Sequence, residues 1–372
     1  MTSNYNIDAF FSLLRAGLWE QDFNLSSLPP IDYSEVYRLA EEQSVIGVIS
    51  AGLEHVVDIK VPQNDVFNFV GTTLQLEQQN RSMNQFVEEL VKRMRQADIY
   101  TLLVKGQGIA QCYERPLWRA CGDIDFYLSE ENFEKAKRFF RPLVESFDPD
   151  DDYTRHINMH YRQWVVEIHA NQHCSLSTRI NRVLDEIHRN LFYGGNVRSW
   201  TNGKTQIFLP SYNEDVVIVF THFLNHFYVG GLGVRQICDW CRLLWKSSDV
   251  LDENMLKNQI KKMGLLSEWK AFAAFAVVYL GMPTDAMPLY EDSKKWAVKA
   301  ERIKDYLLEV GNFGHNRDTS YYGKYPFLIR KTISYCRRMG DLLHHARIFP
   351  MDSIRFFAGI TLNGLRSVSH GA

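Results

Sequence analysis

Asp123 and Asp125 stand two residues apart inside an otherwise apolar run, DIDFYL, at residues 123–128. Side chains alternate across a β-strand. A strand here sends Ile124, Phe126 and Leu128 to one face and both aspartates to the other, about 6.5–7 Å apart. Two carboxylates on one face each raise the cost of ionising the other. A divalent cation removes that cost, and metals paired roughly 3.5–4 Å apart lie within reach of both side chains. Oxygen ligands of this kind favour Mg²⁺ or Mn²⁺. A third acid follows in QWVVEIHA, where Val166 and Ile168 share one face and Glu167 and His169 the other. If the two strands are neighbours, Glu167 converges on the aspartates. The competing reading is an exposed sheet face whose acids are merely solvated.

Other residues with chemical potential cluster around this pattern. In VKGQG, Lys105 and Gly106 end one strand and precede a short helix. Such a junction offers free N–H groups, a helix dipole and room for close approach, and Lys105 adds a point charge suited to a triphosphate. A solvated turn lysine accounts for the same residues. Arg119, four residues before Asp123, is placed to contact phosphate or to pair with the acids, or is a plain surface arginine. His169 is placed to orient a carboxylate or to contact an acceptor. His222 and His226 share a helix face at i, i+4 in THFLNHF. They lack the His-Glu-x-x-His order of a zinc protease and read as helix-face histidines lining a cleft. Arg235 and Asp239, also i, i+4, read as a helix salt bridge ahead of a substrate clamp. His169, His222 and Asp239 are the residues assigned to the acceptor side.

The elements that must position these side chains fall into three stretches. Residues 1–98 carry helical periodicity, with a Pro29-Pro30 break and a long helix opened by Pro62. Residues 99–174 alternate strand and helix. YTLLVKG, DIDFYL, TRHINMHYR and QWVVEIHA read as strands, the last two joined by a tight turn, and Ser129 caps a helix running to Phe140. Residues 175–372 return to helical spacing. The fold class expected is α+β, a small mixed sheet flanked by N-terminal and C-terminal helical regions.

Bulk properties narrow the partners. A formal net charge of −2 over 372 residues argues against wholesale nucleic-acid binding. No basic start with a long apolar region opens the chain, and no apolar run reaches the roughly 18 residues of a membrane span, so a cytoplasmic location is expected. The six cysteines follow no disulfide spacing and read as thiols, with Cys238 and Cys241 in a helical pattern without a second metal-ligand pair. The Gly- and aromatic-rich segment 311–326 reads as a lid or substrate loop, or as plain disorder. The basic tail after it is compatible with a membrane surface or a protein partner, or with a helix pair packed on the core.

LLVKGQGIAQCYERPLWRACGDIDFYL, residues 102–128, together with VVEIHA, residues 165–170, resembles the polymerase-β-like nucleotidyltransferase superfamily. More closely it is similar to the bacterial family of uncharacterised nucleotidyltransferases. The resemblance implies an Mg²⁺- or Mn²⁺-dependent nucleotidyltransferase that moves a nucleoside monophosphate from an NTP to a hydroxyl or phosphate acceptor. Carried over, Asp123 and Asp125 are metal ligands, and Glu167 holds the catalytic metal or deprotonates the acceptor. Lys105 and Gly106 lie at the nucleotide phosphates, with Arg119 beside them. The chain departs from the pattern in having Gly106-Gln107 where a Gly-Ser is usual, a longer Gly106-to-Asp123 spacing, and glutamate as third acid. These departures keep two rivals open: a catalytically degenerate binding or interaction protein of the same fold, and an unrelated helical scaffold whose small sheet has acidic edges.

Overall fold

The computed structural model describes residues 4–144, 155–312 and 325–369. The acidic loop at 146–153 and nearly all of the 311–326 segment lie outside the described residues. The chain begins with helices α1 (Asn4–Trp19), α2 (Tyr33–Glu42), α3 (Ile46–Glu54) and the long α4 (Gln63–Gln96). Asp32 caps α2 by accepting from the Ser34 and Glu35 amides. Helices α1 and α3 approach at Gly17 and Gly52, where a Cβ would lie 1.9 Å from the Val48 carbonyl oxygen and 2.0 Å from that of Leu13.

Strand β1 (Leu102–Val104), α5 (Gly106–Ala110), β2 (Asp123–Tyr127), α6 (Glu130–Phe140), β3 (His156–Tyr161) and β4 (Trp164–His169) follow. They form a four-stranded sheet in the order β1-β2-β4-β3. β2 runs parallel to β4 and antiparallel to β1, and β3 runs antiparallel to β4. The tight turn expected between β3 and β4 is present, with Arg162 at φ +57°. Alternation divides the sheet cleanly. Leu103, Ile124, Phe126, Val166, Ile168, Ile157 and Met159 are buried in one core with Phe86, Leu90 and Met94 of α4 and Phe133 and Phe140 of α6.

Helix α7 (Thr178–Phe192) is followed by an element the helical reading of 175–372 passes over, the hairpin β5 (Val197–Asn202) and β6 (Thr205–Pro210). Its two-residue turn is Gly203-Lys204, following Asn202, which pairs with Thr205, and Gly203 takes the φ of +58° that a primed hairpin turn requires. Helices α8 (Tyr212–Val229), α9 (Val234–Ser247), α10 (Glu253–Met263), α11 (Leu266–Leu280), α12 (Lys294–Val310), α13 (Phe327–Ile348) and α14 (Pro350–Ser369) complete the chain. A second, larger core joins α1–α3 to α7–α12, built around Phe10, Phe220, Trp240, Trp269 and Phe272. Cys238 and Cys241 are buried in it. The terminal helix pair packs on this body through Ile348, Phe349 and Phe356. No helix among the described residues is long and apolar enough to cross a membrane. The fold is therefore α+β, a small mixed sheet with helical flanks.

Candidate active site

The parallel register of β2 and β4 sets Asp125 opposite Glu167 and Tyr127 opposite His169. Asp123, Asp125 and Glu167 each offer a carboxylate oxygen within 4.8 Å of the others. They face a cavity of about 360 Å³ between the sheet and helices α8 and α9. Lys105, Gly106, Arg119, His169, His222 and Asp239 line the same cavity, so every residue singled out by spacing meets there.

The turn after β1 aims the lysine. Lys105 adopts φ +55°, which L side chains rarely take, and Gly106 follows at φ +33°. A Cβ on Gly106 would lie 3.1 Å from the Cys121 sulfur. This kink brings Lys105 Nζ to 2.9 Å from Asp125 Oδ1. His169 Nε2 lies 3.0 Å from the same oxygen. Gln107, at the position where a serine is usual, points away from the cavity. Its amide nitrogen donates to Asn80 Oδ1 at 2.8 Å and contacts Met83, tying α5 to α4.

Electrostatics distribute the three acids unequally. Burial pushes Asp123 up, and the charges of Asp125 and Glu167 push it further. Burial acts the same way on Asp125, which is only 3% exposed, but Lys105 and His169 outweigh it and hold the carboxyl below its ordinary value. Glu167 is likewise desolvated yet held far down by His156 and His169. Burial lowers Lys105 and His169, and in both the facing carboxylates reverse the sign and raise them. Asp123 is the least compensated member of the trio: the charges of Lys105 and Arg235 do not offset its burial and repulsion, and its side chain has no hydrogen-bond partner among the described residues.

The expected Arg235–Asp239 helix salt bridge is replaced by a different pairing. Arg119 grips Asp239 with Nε at 3.0 Å and Nη2 at 2.6 Å, both groups buried, and Tyr113 donates to the same carboxylate at 2.8 Å. The pairing distant in sequence wins because the planar guanidinium fork meets the carboxylate edge-on with two parallel N–H···O bonds. Arg119 lines the cavity, and its Nη1 is buried without a hydrogen-bond partner. Arg235 donates to the Ala120 carbonyl at 2.6 Å and faces the cavity beside the acids. His222 and His226 lie with their Nε2 atoms 3.1 Å apart, and burial pushes both down, His226 to about 4, so both are neutral at pH 7.

Sequence spacing overlooked His156 and the role of Arg235 as a cavity cation. His156 sits directly across from His169 in the β3–β4 ladder, with the rings stacked at 4.5 Å and 15°. The alternation His156, Asn158, His160 in TRHINMHYR carried the signal, but the turn position that sets the register was needed to use it.

In comparisons with known proteins, a family model described as uncharacterised nucleotidyltransferase matches residues 29–281, from before α2 to the end of α11 and including every cavity residue named above. No curated protein and no solved structure matches the chain.

Proposed function

The chain belongs to the uncharacterised nucleotidyltransferase family, and from that premise we propose that it is a Mg²⁺-dependent enzyme moving a nucleoside monophosphate from an NTP to a hydroxyl or phosphate acceptor. The observation that carries this reading is the convergence of Asp123, Asp125 and Glu167 from two adjacent parallel strands on one cavity. The donor set fits the group: three hard oxygen ligands, one of them a desolvated carboxylate left without a partner and repelled by the other two. Asp123, Asp125 and Glu167 would hold Mg²⁺ or Mn²⁺, which when bound neutralises triphosphate charge and activates the acceptor oxygen.

In this reading the acceptor oxygen attacks the α-phosphorus, the bond to the β-phosphate oxygen breaks, and pyrophosphate leaves. Glu167 either holds metal or takes the acceptor's proton. Lys105, carried by the strained turn at Gly106, and the Arg119 guanidinium in the cavity wall supply positive charge to the phosphates. His169 holds the Asp125 carboxylate in orientation. His222, neutral and across the cavity on α8, receives the acceptor, and Asp239 acts on that side through its fork with Arg119. The basic C-terminal segment would contact a membrane surface or a protein partner, and use of an NTP is consistent with a cytoplasmic reaction.

One observation favours a second reading. Asp125 and Glu167 already have protein partners, Lys105 with His169 and His156 with His169, as in a degenerate member of the family that binds without turnover. Incubation of the purified chain with each NTP and Mg²⁺, followed by measurement of nucleotide-dependent pyrophosphate release with a panel of acceptors, tests the enzyme. Tight, Mg²⁺-dependent NTP binding without pyrophosphate favours the degenerate protein. Absence of both, with no Mg²⁺ binding, removes both readings.

A further inference from the structure

We propose that His156, Glu167 and His169 form a second metal position beside the all-oxygen trio, one that takes a nitrogen-preferring divalent transition metal such as Zn²⁺ or Co²⁺. One ligand atom from each lies within 4.8 Å of the other two. Both imidazole Nε2 atoms converge on the same oxygen, Glu167 Oε2, at 3.2 Å from His156 and 3.4 Å from His169. Those separations are longer than the roughly 2.7–2.9 Å of a charge-assisted hydrogen bond. They match the spacing of two ligand atoms around a tetrahedral zinc: bonds of about 2.0–2.1 Å put neighbouring ligands about 3.3 Å apart.

His156 and His169 are directly opposed in an antiparallel ladder, which delivers both imidazoles from one side of the sheet. Their rings stack at 4.5 Å and 15°, so binding requires one ring to turn about its Cβ–Cγ bond to bring both Nε2 lone pairs to one ion. Glu167, two residues before His169 on the same strand face, completes the set. Either imidazole exposes a lone pair at Nε2 when its proton sits on Nδ1, so the positions that touch Glu167 as donors serve equally as ligands. Asp125 Oδ1, 3.0 Å from His169 Nε2, is the competing partner for that nitrogen.

Two imidazoles and a carboxylate suit zinc, cobalt, iron or nickel, whereas Mg²⁺ takes oxygen. Three protein ligands leave a coordination position open for water or a substrate atom. Glu167 belongs to both donor sets, so the two positions share a ligand.

The inference concerns metal binding and stands apart from nucleotidyl transfer. Untagged full-length protein, stripped with chelator, is titrated with Co²⁺ by visible absorption, and its Cu²⁺ complex is examined by electron paramagnetic resonance. The expected results are intense low-coordinate Co²⁺ bands and coupling from two nitrogens. His156→Gln should remove one nitrogen coupling and weaken Co²⁺ binding at least tenfold, while the double variant His222→Ala/His226→Ala keeps both. A wild-type spectrum without nitrogen coupling overturns the proposal even if His156→Gln does not fold. So does coupling from two nitrogens that persists in His156→Gln, or that is lost in the α8 double variant. Mg²⁺-dependent pyrophosphate release, measured separately, reports on the transferase reading alone.

Discussion

The two faces of the four-stranded sheet are made from alternate residues of the same strands, yet they obey opposite rules. Ile124, Phe126, Val166 and Ile168 lie against α4 and α6 with almost no exposure. Their contribution is burial, at roughly 25 cal/mol per Å² of apolar surface. One residue along, Asp123, Asp125 and Glu167 crowd like charges into a cavity where burial raises the cost of each. The apolar face is arranged for stability and the acidic face is arranged against it. A fold keeps such a face where the opposing charge comes from something it binds, and here Lys105 and His169 supply part of that charge from within.

The contrast can be broken experimentally. The largest effect expected is on turnover: Asp125→Asn should lower the rate of pyrophosphate release on the order of 10³-fold or more, at least about 4 kcal/mol. Retained turnover in a steady-state assay would take Asp125 out of the metal site. On the opposite face, Phe126→Ala should cost about 3–5 kcal/mol of stability, read by urea denaturation, because its neighbours in α4 and α6 cannot collapse into the space. Addition of Mg²⁺ at about 100 times its Kd should stabilise the wild type by about 2.7 kcal/mol and leave Asp123→Asn unmoved. Equal shifts in a thermal melt of both proteins would place the ion elsewhere.

Two smaller effects sharpen the division. Gln107→Ser installs a hydroxyl at a side chain that faces Asn80 and Met83 rather than the cavity. It should cost about 1–2 kcal/mol by orphaning the Asn80 carbonyl and bring no gain in NTP affinity, measured by calorimetry. Asp123→Asn, in chelator, should raise stability by about 1 kcal/mol, since it relieves a desolvated and repelled carboxylate. A fall in the melting temperature would mean that the repulsion is already relieved.

Much of this was readable in advance where period and chemistry coincide. The Asp-x-Asp alternation placed both acids on one face because a strand offers no other arrangement, and VVEIHA did the same for Glu167 and His169. The hairpin at 197–210 was signalled by Gly203 at its turn, but its strands alternate weakly and the surrounding helical periodicity masked them. Arg119 was noted near the acids, while its fork with Asp239 joins residues far apart in sequence and has no local signature. His156 became a neighbour of His169 through a register that depends on a two-residue turn.

The sequence by itself determined the strand and helix periods, the family, and which face of each central strand is acidic. These follow from neighbouring residues, whose relation the backbone geometry dictates. Tertiary structure decided who pairs with whom: Lys105 with Asp125, Arg119 with Asp239, His156 with Glu167, and Gln107 turned toward α4. Such partnerships depend on how sheet and helices close around one cavity, and that closure is set by a sheet core from the middle of the chain and a larger helical core that draws on residues from both ends.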